Sequence, residues 1–147
     1  MAKIVGALIL LIAIGRISYS QVPFFQHYYL LKKNETVRVN KILQDKTGFI
    51  WFGTDKGLFK FDGVNYHQFT TAQNLPDENV TAIAQDSLGR IWVGHKNGSL
   101  AFVDNAVVKP FNTPEGNSTQ EISDILFDRK GNLWFSTLND EIGRAHV

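Results

Sequence analysis

The sequence predicts an all-β chain of the β-propeller type: a fragment with an orphan outer strand, two four-stranded blades and part of a third. Three observations predict it. Tryptophans recur at fixed intervals, an Asp-x-x-Gly turn stands just ahead of each, and short apolar segments flank every turn. Trp51, Trp92 and Trp134 lie 41 and 42 residues apart, and Asp45, Asp86, Asp128 and Gly48, Gly89, Gly131 keep the same spacing. A unit of about 40 residues that reads as four short strands is the pattern of a propeller blade.

The elements follow in chain order. Residues 1–20 read as a signal peptide: Lys3 supplies the positive start, Ile4 to Ile14 is an unbroken apolar run, and Ser18-Tyr-Ser20 offers small residues before Gln21. That run is shorter than the roughly 20 apolar residues that cross a bilayer. Residues 21–38 read as an orphan outer strand with its linker, because Tyr28, Phe69 and Phe111 each stand eleven residues before Val39, Val80 and Ile122. Blade 1 is expected over 39–79, blade 2 over 80–121 and a partial blade 3 over 122–140.

Within each unit an alternating apolar strand comes first: VNKILQ, VTAIAQ and ISDILF. The Asp side chain then caps backbone N–H groups of a tight turn whose Gly takes a positive φ. The Trp strand follows (FIWFGT, RIWVGH, NLWFST), then a third strand after Gly57 or Gly98, then a fourth around Phe69 or Phe111. One Trp per unit is expected to be sandwiched between facing blades. The last seven residues, EIGRAHV from Glu141 to Val147, fit neither earlier unit. Their codons can be written as a common sequencing-library adapter, so they read as a non-native tail.

Composition narrows the chemistry. A net charge of +1 with scattered Lys and Arg gives no basic stripe, which argues against nucleic acid as a partner. The absence of cysteine excludes disulfides, thiolate catalysis and Cys-ligated zinc. Asp45, Asp86 and Asp128 could be calcium ligands or general acids, but they recur once per unit and lack EF-hand spacing, so turn capping is the better reading. His27, His67 and His95 are isolated, and His146 falls in the tail. Asn34, Asn79 and Asn117 fit glycosylation sequons, which loop composition alone explains. Tyr66, Phe69 and Phe111 could stack on a sugar ring, although outer-strand packing accounts for them more simply. No phosphate loop or nucleophile elbow occurs. The reading is therefore no catalytic residue, no metal, no cofactor, and a ligand site that the sequence does not locate.

ILQDKTGFIWFGTDKGLFKFDG closely resembles the two-component regulator propeller repeat. Asp45, Gly48, Trp51, Gly53, Thr54, Gly57 and Leu58 carry the resemblance, with Asp86, Gly89, Trp92, Gly94 and Gly98 in a second copy and Asp128, Gly131 and Trp134 in a third. The copies depart from the pattern at His95, Ser99 and Ser136. The resemblance implies the periplasmic sensor region of a membrane histidine kinase, often a hybrid, of Bacteroidetes type. It implies a small ligand, with oligosaccharides typical, further blades of the parent chain as partners, pairing of two ectodomains, and an inner-membrane anchor beyond this segment. The parent is then the kinase and this portion catalyses nothing. An exported propeller enzyme (lyase or glycosidase) and a secreted binding or scaffold propeller stay open as alternatives.

Overall fold

The computed structural model describes residues 27, 29–30, 35–113, 116, 118–138 and 142–146. Residues 1–20, read as a signal peptide, Tyr28, read as part of an orphan strand, and Asn34 and Asn117 lie outside the described residues. Three antiparallel sheets follow one another along the chain. The first runs in the order β1 (Val39–Gln44), β2 (Ile50–Thr54), β3 (Gly57–Phe61), β4 (Tyr66–Phe69). The second runs β5 (Val80–Gln85), β6 (Ile91–His95), β7 (Leu100–Asp104), β8 (Val107–Phe111). The third has β9 (Ile122–Phe127) and β10 (Asn132–Thr137), with β11 (Ile142–His146) on the far side of β10. A 3-10 turn at Thr71–Gln73, held by a capping box between Thr70 and Gln73, shapes the first linker. The sheets are the predicted blades.

Packing arranges them around an axis. The first strands of neighbouring blades lie side by side, β1 against β5 and β5 against β9, and Lys41 of β1 reaches Asp124 of β9 at 3.0 Å. One apolar cluster joins Trp51, Leu58 and Phe69 of blade 1 to Val80, Ile83, Ile91 and Val93 of blade 2. Another joins Trp92 and Leu100 of blade 2 to Ile122, Ile125, Leu133 and Phe135 of blade 3. Blade 2 is covered on both faces, which is why all five residues of β6 are buried.

Two features differ from the reading of the sequence. The first strands do not simply alternate. Val80 and Ile83 are three residues apart, so a regular strand would point them to opposite faces. A register shift between Val80 and Ala82 turns both toward blade 1. The same irregularity falls between Val39 and Lys41 in blade 1, and opposite Ser136 and Thr137 in blade 3. The hydrophobic-x-x-Ile spacing of the repeat is therefore the sequence form of a β-bulge.

The third blade also continues past residue 140. Part of the segment set aside as a tail, Ile142–His146, pairs with β10 from Ser136↔Ile142 to Asn132↔His146. Otherwise β10 would present a row of unpaired backbone groups, and an extended segment beside it satisfies them. Gly143 lets this strand pass over the Phe135 ring, since a Cβ there would meet Cζ at 2.0 Å. Ala145 completes the cluster beneath.

Candidate functional site: the aspartate–tryptophan turns and an interblade cleft

Each blade repeats one local construction. Asp45 Oδ1 accepts the backbone N–H groups of Thr47 (2.9 Å) and Phe49 (3.0 Å), and its Oδ2 accepts the indole N–H of Trp51 at 2.8 Å. Asp86 does the same for Leu88, Arg90 and Trp92, the last at 3.0 Å. Asp128 caps Lys130 and Asn132 and takes Trp134 at 3.1 Å. Gly48, Gly89 and Gly131 close these turns at φ of 94°, 87° and 84°, where a side chain would be strained. The carboxylate thus ties the turn to the tryptophan and satisfies an indole donor that burial would otherwise orphan. Burial pushes Asp45 and Asp86 upward, but the bonds from Trp51 and Thr47, and from Trp92 and Arg90, hold both below the usual carboxylate value. Asp128 is held lower still, first by the Asn132 amide.

The glycine two residues after each Trp has a different role. A Cβ on Gly53 would come within 2.8 Å of Val80, and one on Gly94 within 2.5 Å of Ile122. These glycines let the next blade's first strand seat closely. A polar latch crosses the same seam. Asn40 donates to the Val80 carbonyl at 2.8 Å, and Thr81 donates to the Ile122 carbonyl at 2.7 Å. Sequence reasoning missed this latch, although aligning the units shows it as the small polar residue (Asn40, Thr81, Ser123) after the first apolar position. Asn79, from a glycosylation-like triplet, accepts from Asn40 at 3.2 Å in the same seam.

Where blades 1 and 2 diverge, a cleft of about 770 Å³ opens. It lies at the end of the sheets that carries the β1–β2 and β3–β4 turns of blade 1 and the β5–β6 and β7–β8 turns of blade 2. Phe49, Trp51 and Tyr66 form apolar wall, and Lys60, Asp62 and Asn105 bring polar groups to it. The Lys60 ammonium sits 3.7 Å above the Phe49 ring centroid, a cation–π contact. Lys60 could be anticipated from hairpin register, because it stands directly opposite Trp51. The rest of the cleft unites segments some 40 residues apart. Of the three aromatic candidates, Tyr66 and Phe69 both border the cleft, and Tyr66 stacks on Phe61 at 4.4 Å. Phe69 is buried against Trp51, and Phe111 packs on Trp92 at 4.9 Å. Among the described residues no group of three or more His, Asp or Glu is placed to hold a metal ion.

His95 occupies the place that Thr54 holds in blade 1. The Thr54 hydroxyl donates to the Gly57 carbonyl at 2.8 Å and accepts from Lys56 N–H at 3.0 Å. The His95 ring is wholly buried, with neither nitrogen hydrogen-bonded among the described residues. Burial lowers its pKa to about 4 against the opposing charge of Asp77. A ring kept neutral in the fold must take up a proton on unfolding once the pH drops below about 6.5. Its contribution is therefore complete above that value and declines as pH falls toward 4, a loss of about 2 kcal/mol at pH 5 relative to pH 7.5. The turn aspartates act separately, below their ordinary value of 3.8. Urea melts at pH 7.5 and 5.0 should show this loss, and His95→Thr should remove most of it; equal pH slopes in both proteins would refute the assignment.

A family model described as two-component regulator propeller matches residues 34–56, 74–97 and 116–139. The chain is built of two-component regulator propeller repeats. Each matched stretch contains the first two strands of one blade, the hairpin that carries Asp, Trp and the close-approach residue. The repeat pattern thus specifies how blades stack, whereas Lys60, Asp62, Tyr66 and Asn105 of the cleft lie outside it. Among solved structures, the extracellular domain of a protein assigned as a hybrid two-component system from B. thetaiotaomicron matches this regulator propeller with a TM-score of 0.65 and 30% identity. The match covers 83% of this chain and 19% of that one. An extracellular domain assigned to a one-component system from the same organism gives 0.63 at 21% identity, over 80% of this chain and 16% of that one. Virginiamycin B lyase from Staphylococcus aureus gives 0.61 at 17% identity, over 78% and 43%. The last two likenesses establish fold alone. The regulator propeller therefore spans under a fifth of the extracellular domains it matches, and no curated protein matches it.

Proposed function

We propose that this chain is part of the ligand-sensing ectodomain of a two-component sensor, exported to the periplasm and without catalytic activity of its own. The observation that carries the reading is the coincidence of three regulator propeller repeats with three stacked blades, in a chain 30% identical to the extracellular domain of a hybrid two-component system. Binding a small molecule, with oligosaccharides the leading class, would shift the arrangement of paired ectodomains and so a distant kinase. The cleft between blades 1 and 2 is the candidate site, since its aromatic wall and adjoining polar groups suit a sugar ring.

Two measurements test this. The gene downstream should encode a membrane helix and a kinase; a stop codon after one ring would favour a secreted enzyme or scaffold. Trp51 borders the cleft, so titration with oligosaccharides should change tryptophan fluorescence saturably, and Lys60→Ala should weaken that response about tenfold or more. An unaltered response in Lys60→Ala would move the site elsewhere.

A further inference from the structure

The two seams between blades share one plan but differ at two positions, and the difference opens the cleft. In the seam between blades 2 and 3, Trp92 is walled by Phe102 of its own blade and Phe127 of the next, at centroid distances of 4.8 and 5.7 Å. Lys60 takes the place of Phe102, since each stands directly opposite its tryptophan. Gln85 takes the place of Phe127, since each ends the first strand of its blade. The Gln85 side chain instead accepts the Lys46 backbone N–H at 2.8 Å. Two rings that fill one seam are thus replaced in the other by polar side chains. Both walls of the opening are four-stranded blades, so the cleft is built within the fold and not at an end face.

Charge follows the same contrast. In the filled seam, the cations beside Trp92 and Phe102 have carboxylates: Arg90 meets Asp86 at 2.5 Å and Lys109 meets Asp104 at 2.8 Å. Lys60 has no carboxylate partner among the described residues. Its ammonium lies 3.7 Å from the Phe49 ring centroid and 5.4 Å from that of Trp51, which positions the charge while leaving N–H donors unspent. His67 stands opposite Lys60 on the next strand and lines the same cleft. The formal charges of the walls balance, but the carboxylates are committed to turns. Asp45 holds the Thr47 N–H and the Trp51 indole, and Asp62 at the rim accepts from Val64 and Asn65 at 2.8 and 2.6 Å. Lys46 is engaged with the Asp86 carbonyl at 3.2 Å. A positioned, half-buried and unpaired ammonium is a ready counter-charge for an acid group on a ligand. We propose that the cleft selects an oligosaccharide that carries an acid group, with the anion on Lys60 and the sugar ring against the apolar wall. This rests on the sensing role proposed above and adds the charge of the ligand to it.

The test is calorimetric titration of the whole exported protein that carries this chain, with three probes of one size: trigalacturonate, galactotriose, and galactotriose bearing sulfate esters. An acidic probe should bind at least tenfold more tightly than the neutral one, and the advantage should shrink as salt rises from about 50 to 300 mM. Whether the carboxylated or the sulfated probe binds better decides which acid the cleft takes. Lys60→Met keeps the stem over Phe49 and removes the charge, so it should bring acidic and neutral probes within about twofold, whereas Lys60→Arg should keep the preference. Lys60→Phe, which restores the residue of the filled seam, should weaken all three probes at least tenfold. Equal binding of acidic and neutral probes by the parent protein overturns the proposal and leaves the sensing role standing. So does an acidic preference that survives Lys60→Met. Absence of binding by every probe overturns both, and assigns the cleft to another segment of the parent chain if Lys60→Phe also lowers its melting temperature.

Discussion

Trp92→Ala should destabilise the chain by about 3–5 kcal/mol, the range for emptying a large aromatic site in a packed interior. Trp92 is 0% exposed and is held by Phe102, Phe111 and Phe127 at centroid distances of 4.8, 4.9 and 5.7 Å. Its removal opens a void between blades 2 and 3 and strips Asp86 of the indole donor at 3.0 Å. Both effects act in the same direction, because the carboxylate left behind is itself buried. The matched control is Trp134→Ala. Trp134 makes the equivalent bond to Asp128, but among the described residues no blade lies over its outer face, so the loss there should be about 1–2 kcal/mol. Urea denaturation of the two variants measures the difference. Equal losses would mean that burial between blades is not what the tryptophan contributes.

Gly94→Val should cost about 3 kcal/mol, the upper end for overpacking a filled interior. The first atom of any side chain at Gly94 would lie 2.5 Å from Ile122 Cγ2 and 2.7 Å from its Cβ. Ile122 is wholly buried at the start of β9 and has no free direction to move. The neighbouring seam at Gly53 should respond in the same direction but less, because Val80 is smaller and the approach is 2.8 Å. Trimming the partner distinguishes a steric cause from a backbone one. Gly94→Ala combined with Ile122→Val should be more stable than the sum of the single changes by about 0.5–3 kcal/mol, the coupling expected of residues in contact. Strict additivity would trace the cost to strand conformation instead.

Much of this was legible because each blade repeats its instructions. One tryptophan every 41 or 42 residues, with Asp and Gly at constant offsets, indicated three sheets, the strand order of the first two, and the tryptophan's place between sheets. The aspartates were read as turn caps, and they are. Their second oxygen, which holds the indole, was not foreseen because the bond depends on how β2 bends back over its own turn. The bulge was hidden in plain spacing: hydrophobic-x-x-Ile cannot keep one face on a regular strand, so the motif itself encodes the irregularity. The pairing of Ile142–His146 was not legible, since an edge accepts a strand by its backbone and little in the side chains announces it. The cleft was also beyond local pattern. Its walls come from Phe49, Lys60 and Tyr66 on one blade and Asn105 on another, brought together only when the sheets diverge.

The Asn40 and Thr81 latches have a consequence for how the fold comes apart. Each joins a blade to its immediate successor, so cohesion is mainly a sum over nearest neighbours, with Lys41–Asp124 an exposed contact from the first blade to the third. Among the described residues the middle blade is clasped from both sides and the other two from one side each. Amide exchange should therefore be slowest along Ile91–His95 and quicken outward, with opening that frays from the flanks like a stack of cards losing its end members first.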